Sequence, residues 1–213
     1  MNAAHRLSRS QTVLFIIACA VFVTLFSGVS LHASWVKSFD MTLIRQIRFP
    51  QTDWKSMLLT WYTTFFNTLP MSVIVVIGTI IFAIEHRTTT ALFFILIPSI
   101  GSLVNAGIKH IVARPRPNVD QLMHYGGYSF PSGHAIGATL ILGAVIVLVQ
   151  YYVILRWQRW LTNTILLIMI ILVGYSRIYV GVHYPSDVVA GFCLGYIILM
   201  LGQMAFGLRK VVK

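Results

Sequence analysis

Nine residues of this sequence have types and spacings suited to chemistry: Lys109 and Arg116, the run Pro131-Ser132-Gly133-His134, and Arg177 with His183 and Asp187. Ionised side chains are costly next to hydrocarbon, so such a group in so apolar a chain marks a functional site by default. Together they meet the needs of phosphoryl transfer through a histidine: cations for phosphate oxygens, a nucleophile, an orienting carboxylate and a proton donor.

Each segment supplies a part. Lys109 offers a compact charge, and Arg116 a planar fork matched to two phosphate oxygens. Pro115 and Pro117 flank Arg116 and continue a helix badly, so the chain is expected to leave the membrane surface there as a stiff extended segment. Arg114 reads as a plain anchor, its stem along hydrocarbon and its charge among headgroups. Ser132 suits an N-cap, Gly133 lets backbone approach a ligand, and free amides at a helix start attract an anion. His134 then stands where a departing oxygen can take its proton. His183 and Asp187 share a face if a helix begins near Pro185, a residue suited to a first helical turn. Such a carboxylate fixes the imidazole tautomer and frees the other nitrogen to attack phosphorus, with Arg177 as a third cation. The competing reading of this last segment is a structural His-Asp pair with no chemistry.

The remaining polar residues carry plainer expectations. Asn105 is expected to hydrogen-bond between helices, His110 and His124 to lie in loops, and Asp120 to be a solvated loop charge. Cys19 and Cys193 fall inside apolar runs and read as buried thiols rather than a disulfide. Neither carboxylates nor His/Cys groups have metal-site spacing, so metal-independent chemistry without a cofactor is expected.

The elements that must position these residues are membrane spans. Of 213 residues, 57% are hydrophobic and 10% charged, and mean hydropathy is +0.81. Apolar runs cover approximately Val13 to Leu31, Phe65 to Ile84, Thr88 to Ile108, Ala135 to Leu155, Trp160 to Ser176 and Val188 to Leu208. Each approaches the roughly 17 to 25 residues that cross a bilayer. The expected fold is therefore an all-α polytopic bundle of about six transmembrane helices, with residues 1–213 as one integral-membrane domain. Asn67 and Pro70 interrupt the second run, and the aromatic stretch 56–67 before it is expected to form an interfacial helix. Arg6 and Arg9 before the first run loosely suggest a signal peptide, but about 19 apolar residues exceed a signal core of roughly 7 to 15, so a retained helix is expected.

Six spans put both termini on one face and all nine site residues on the other. The net charge of +11 sits in short loops and forms no continuous basic face, which favours phosphorylated lipids and bilayer headgroups as partners over nucleic acid. No protein partner can be inferred. Lys and Arg divide eight to eight between the faces: Arg6, Arg9, Arg87, Arg156, Arg159, Arg209, Lys210 and Lys213 against Lys37, Arg45, Arg48, Lys55, Lys109, Arg114, Arg116 and Arg177. Setting aside the three cations assigned to phosphate leaves eight against five, so the termini are expected in the cytoplasm and the site outside the plasma membrane.

Lys109 to Pro117, Pro131 to His134 and Ser176 to Asp187 together resemble the three-part signature of the type-2 phosphatidic acid phosphatase superfamily. That signature runs Lys, six residues, Arg-Pro; Pro-Ser-Gly-His; Ser-Arg, five residues, His, three residues, Asp, and this chain matches every position. The resemblance implies a lipid phosphate or pyrophosphate phosphatase. His183 would form a phosphohistidine oriented by Asp187. His134 would protonate the leaving oxygen and then help activate water. Lys109, Arg116, Arg177, Ser132 and the Gly133 amide would hold the phosphoryl oxygens. Bacterial members act on undecaprenyl pyrophosphate, phosphatidylglycerol phosphate or phosphatidate, and the first two are the expected substrates. Phosphotransfer to a lipid or sugar hydroxyl is the alternative at the same site. The vanadium haloperoxidases of this superfamily are generally soluble and fit six spans poorly. A transporter that uses the cations only for recognition would instead place polar groups near the bilayer midplane.

Overall fold

A computed structural model of the protein describes residues 7–118 and 120–208. Arg6, Arg209, Lys210 and Lys213 of the charge balance lie outside them. Eight helices follow in order: α1 (Arg9–Ser30), α2 (Ser34–Arg48), α3 (Asp53–Thr64), α4 (Thr68–Ile84), α5 (Thr88–Val112), α6 (Gly133–Tyr152), α7 (Arg156–Tyr179) and α8 (Pro185–Ala205). Among the described residues there is no strand. Among the described residues, helices α1, α5, α6, α7 and α8 are long and apolar enough to span a bilayer, and α3 with α4, bent by 45° at their break, makes a sixth candidate when the pair is counted as one broken span. The chain is a polytopic membrane protein.

The sequence explains most boundaries. Ser8 and Gln11 close a capping box at the start of α1, each side chain accepting the other's backbone N–H at 3.3 and 3.0 Å. The second span starts at Thr68 rather than Phe65. Asn67 takes the N-cap position, and Pro70 falls in the first turn, where its missing N–H would have had no helical partner. The aromatic helix before it runs from Asp53 to Thr64, earlier than the expected 56–67, with Asp53 placed favourably in its first turn. Helix α2 has no counterpart in the sequence reading. Its 15 residues hold no apolar run, only a buried row of Val36, Asp40, Ile44 and Arg48 at every fourth position.

The core lies between α6 and α8, which bury most of their surfaces, while α1, α4, α5 and α7 turn Leu, Ile and Val outward to lipid. All five tryptophans are exposed: Trp35, Trp54 and Trp61 on α2 and α3, and Trp157 and Trp160 at the start of α7. They form the two amphipathic girdles expected where a bundle meets the two headgroup layers. Helices α6 and α8 approach closely because α8 presents glycines. A Cβ at Gly191 would stand 2.8 Å from the Ser132 carbonyl oxygen and 2.9 Å from Ala135 Cβ, and one at Gly195 would stand 2.8 Å from Thr139 Cβ. The contact with backbone at Ser132 cannot be relieved by a side-chain rotation.

Replacing Gly191 by Val should therefore push α6 off α8 and destabilise the bundle by about 1–3 kcal/mol, as overpacking does. A thermal melt in detergent checks this, and an unchanged midpoint would refute the close-packed seam.

Candidate active site

The C-terminal ends of α5 and α7 and the N-terminal ends of α4, α6 and α8 meet at one edge of the bundle, under α2 and α3. Helix α5 stops at Ala113, which adopts left-handed backbone with φ 48° and donates its N–H to the Lys109 carbonyl. The segment after it is extended, as its prolines dictate. Lys109 in the last turn of α5 points its ammonium at the Tyr128 carbonyl.

Arg116 is held by backbone. Nε and Nη2 donate to the Gly126 and Gly127 carbonyls at 3.1 to 3.3 Å, and Nη1 donates to Val182 O at 2.9 Å. The same Nη1 lies 3.3 Å from Nε2 of His183. It can donate to that nitrogen only when the ring proton sits on Nδ1, so this contact favours the tautomer with the lone pair on Nε2.

His183 is buried in the turn between α7 and α8. Its Nδ1 is 3.5 Å from Asp187 Oδ2 and makes no formed hydrogen bond among the described residues. The expected His–Asp contact is thus a loose approach rather than a tight hydrogen bond. Burial, followed by the charges of Arg177, Arg116 and Lys109, holds the imidazole well below its ordinary pKa of 6.5. A neutral ring with an available lone pair is the result.

Arg177 is fully buried. Its Nη1 donates to Thr63 Oγ1 of α3 at 3.1 Å, and its guanidinium lies 4.3 Å over the Tyr125 ring. Its Nε and Nη2 have no hydrogen-bond partner among the described residues. A buried guanidinium with two unpaired donors is an unusual cost, and an anion with several oxygens would offset it.

His134 stands in the first turn of α6. Its Nε2 is 2.9 Å from Asn67 Oδ1, which also accepts the Tyr125 hydroxyl at 2.6 Å. Ser132 caps α6, Oγ accepting from Ala135 N at 3.5 Å, and its own N–H donates to the Asp187 carbonyl at 3.0 Å.

Six of the expected residues (Lys109, Arg116, Gly133, His134, Arg177 and His183) line one cavity of about 950 Å³. Ser132 and Asp187 are buried behind it rather than on its wall. From the charged end the cavity runs along α4, α5 and α6 between Leu69, Met71, Val75, Leu103, Leu140 and Ile141.

Three features depart from the sequence reading. Arg114 is no headgroup anchor. Its side chain is 14% exposed and joins two buried carboxylates, Nη2 to Asp40 Oδ2 and Nη1 to Asp187 Oδ1, each at 2.7 Å. Burial opposes its charge, but Asp187 and Asp40 outweigh that and raise its pKa. Asn105 makes no interhelical bond through Oδ1, which is buried without a partner beside this cavity. His110 lies in the last turn of α5, not in a loop, with its ring edge-on to Tyr128. Asp40, Asn67 and Tyr125 join the site without being expected there, although Asp40 has a signal: an acid in the buried row of α2 at every fourth position.

The family model of the PAP2 superfamily, the type-2 phosphatidic acid phosphatases, matches residues 87–206. The chain is 28% identical over 179 residues to phosphatidylglycerophosphatase B of Bacillus subtilis, covering 83% of this chain and 88% of that one. It is 46% identical over 68 residues to undecaprenyl-diphosphatase of Sulfolobus acidocaldarius, covering 32% of this chain and 29% of that one. The fold superposes on the crystal structure of a transmembrane PAP2-type phosphatidylglycerolphosphate phosphatase from Bacillus subtilis with a TM-score of 0.77 at 27% identity, covering 91% of this chain and 94% of that one.

Removal of the Arg114 side chain leaves Asp40 and Asp187 buried and unpaired. Arg114→Ala should cost about 3–5 kcal/mol of stability, the usual penalty for breaking a buried ion pair from one side. A midpoint in detergent within a degree or two of wild type would show that the pairs are dispensable.

Proposed function

The chain belongs to the PAP2 superfamily and is a membrane lipid phosphatase, and on that footing we propose that it works through a phosphohistidine on His183. The observation that carries this reading is the convergence, in one cavity, of a neutral His183 whose Nε2 lone pair faces Arg116 and the unpaired donors of buried Arg177. A phosphoryl group seated between them meets Arg116 and Arg177 on its oxygens, with Lys109 and the start of α6 nearby.

Nε2 then attacks phosphorus. The N–P bond forms as the P–O bond to the lipid breaks, and the leaving oxygen takes a proton from His134, whose imidazolium form the bound anion favours. Asp187 stabilises the positive charge that grows on the His183 ring. In the second half, water gives a proton to His134 and attacks phosphorus, the P–N bond breaks, and inorganic phosphate leaves with His183 restored. Asn67 and Tyr125 hold the His134 ring in place between these steps.

The apolar walls of the cavity suit an acyl or prenyl chain, with its phosphate at the charged end. Phosphatidylglycerol phosphate and undecaprenyl pyrophosphate are the substrates we assign, supported by the names of the relatives above. Gln11 at the start of α1 bonds Gln203 near the end of α8 at 3.1 Å, so both ends of the described chain lie opposite the site. With those ends in the cytoplasm, the cavity opens toward the outer leaflet.

Purified protein in detergent with EDTA should release phosphate from one of these two lipids, and His183→Ala should reduce that release by three or more orders of magnitude. Comparing sealed right-side-out with inverted vesicles reads the sidedness in the same assay. Release by His183→Ala at the wild-type rate would end the phosphohistidine reading.

Because neighbouring cations depress the His183 pKa, the acid limb of kcat/KM reports them. Arg116→Gln should move that limb up in pH, by about one unit for a charge at contact distance. Substrate ionisation is common to both proteins and cancels. An unmoved limb would mean that Arg116 does not set the state of the nucleophile.

A further inference from the structure

Asp40 is 1% exposed, belongs to an interfacial helix, and does not line the catalytic cavity, yet it is one of only five acids in a chain of net charge +11. We propose that Asp40 is a positioning residue for phosphoryl transfer, acting through Arg114 on the carboxylate plane of Asp187 and so on the His183 ring. This inference rests on His183 being the nucleophile.

The geometry forms a continuous chain. Asp40 Oδ1 accepts the Ser186 N–H at 2.8 Å, and Oδ2 accepts both Ser186 Oγ at 2.8 Å and Arg114 Nη2 at 2.7 Å. Arg114 Nη1 donates to Ser186 Oγ at 2.8 Å and to Asp187 Oδ1 at 2.7 Å. Asp187 Oδ2 is left to accept the Tyr184 N–H at 2.9 Å and to face His183 Nδ1 at 3.5 Å. The guanidinium carbon lies over Tyr184, 3.9 Å from the ring centre.

The division of Arg114 between two carboxylates is the essential point. A guanidinium beside a single carboxylate prefers the two-pronged pairing, in which two N–H groups take both oxygens. Such a pairing with Asp187 would claim Oδ2, the oxygen that faces the nucleophile. Asp40 occupies Nη2 and limits Arg114 to one oxygen of Asp187, so the other remains aimed at His183. Asp40 itself is fixed from both sides of the site. Helix α2 packs against α7 and α8, and Arg48 at its end donates to the Tyr179 carbonyl at 3.1 Å and to the Asp120 carbonyl.

A purely structural role predicts something different. As a cap for the first turn of α8, Asp40 would need only an acceptor for Ser186 N–H, which an asparagine oxygen also supplies. Asp40→Asn therefore separates the two roles while keeping shape. With phosphatidylglycerol phosphate in detergent, Asp40→Asn should lower kcat about tenfold or more and leave KM within about twofold, a pattern expected when a supporting partner of a reacting group is lost. In an Asp187→Asn background the same change should cause no further loss, because its only route to His183 is already cut. Arg114→Lys, which keeps the charge but cannot bridge two carboxylates in one plane, should show the same kcat-only defect and carries the test if Asp40→Asn fails to fold.

Wild-type kcat in Asp40→Asn, or losses that multiply in the double variant, would overturn the positioning role and leave Asp40 a helix cap. His183→Ala is run alongside. If it is inactive while Asp40→Asn is fully active, only the positioning role falls; if it remains active, the nucleophile assignment falls and this inference with it.

Discussion

The site depends on how a membrane protein keeps three cations close to a buried histidine. Lys109, Arg116 and Arg177 would repel one another and raise the cost of folding in a low-dielectric setting, and the sequence offers only five carboxylates against them. Two of these, Asp40 and Asp187, are placed at the cluster, and both are tied to a fourth cation, Arg114. The negative charge is thus immobilised just outside the cavity. Its field steadies the bundle edge, while the cavity wall itself stays positive and ready for a phosphate.

Much of this was legible in the chain because membrane physics writes long signals. A span needs about 20 apolar residues, and such runs survive any detail of packing. The loop motifs were equally readable, since Pro115, Ser132, Gly133 and Pro185 act locally on helix ends. What escaped notice depended on partners far away in sequence. Arg114 looked like an anchor because a basic residue at a helix end has that role by default; the fact that decides otherwise is Asp40, 74 residues earlier. In the sequence Asn67 marks only an interruption of a run, and nothing distinguishes Tyr125 from the other tyrosines. Their shared bond to each other and to His134 exists only after α3, α4 and the 120s loop have been folded together.

Helix α2 shows the limit most clearly. It is too short and too polar to register as a span, and its meaning lies in a four-residue spacing that brings Val36, Asp40, Ile44 and Arg48 onto one row. Outward, it shows Trp35, Phe39 and Met41 to the interface. A helix so divided lies flat on a bundle rather than crossing the bilayer. Its inner row braces the turn that holds His183, and its outer row rests in the headgroup layer.

The glycine seam between α6 and α8 has a consequence beyond packing. His134 stands in the first turn of α6, and the turn leading into α8 carries His183. The tight contact of Gly191 against the Ser132 carbonyl lies in the first two turns of both helices, close to both histidines, and Ser132 N–H is bonded to the Asp187 carbonyl at 3.0 Å. The interhelical gap therefore also sets the distance between His134 and His183. A bundle that swelled by a fraction of an ångström at this seam would part the two histidines across the cavity, so the lipid-facing scaffold and the cavity wall share one ruler.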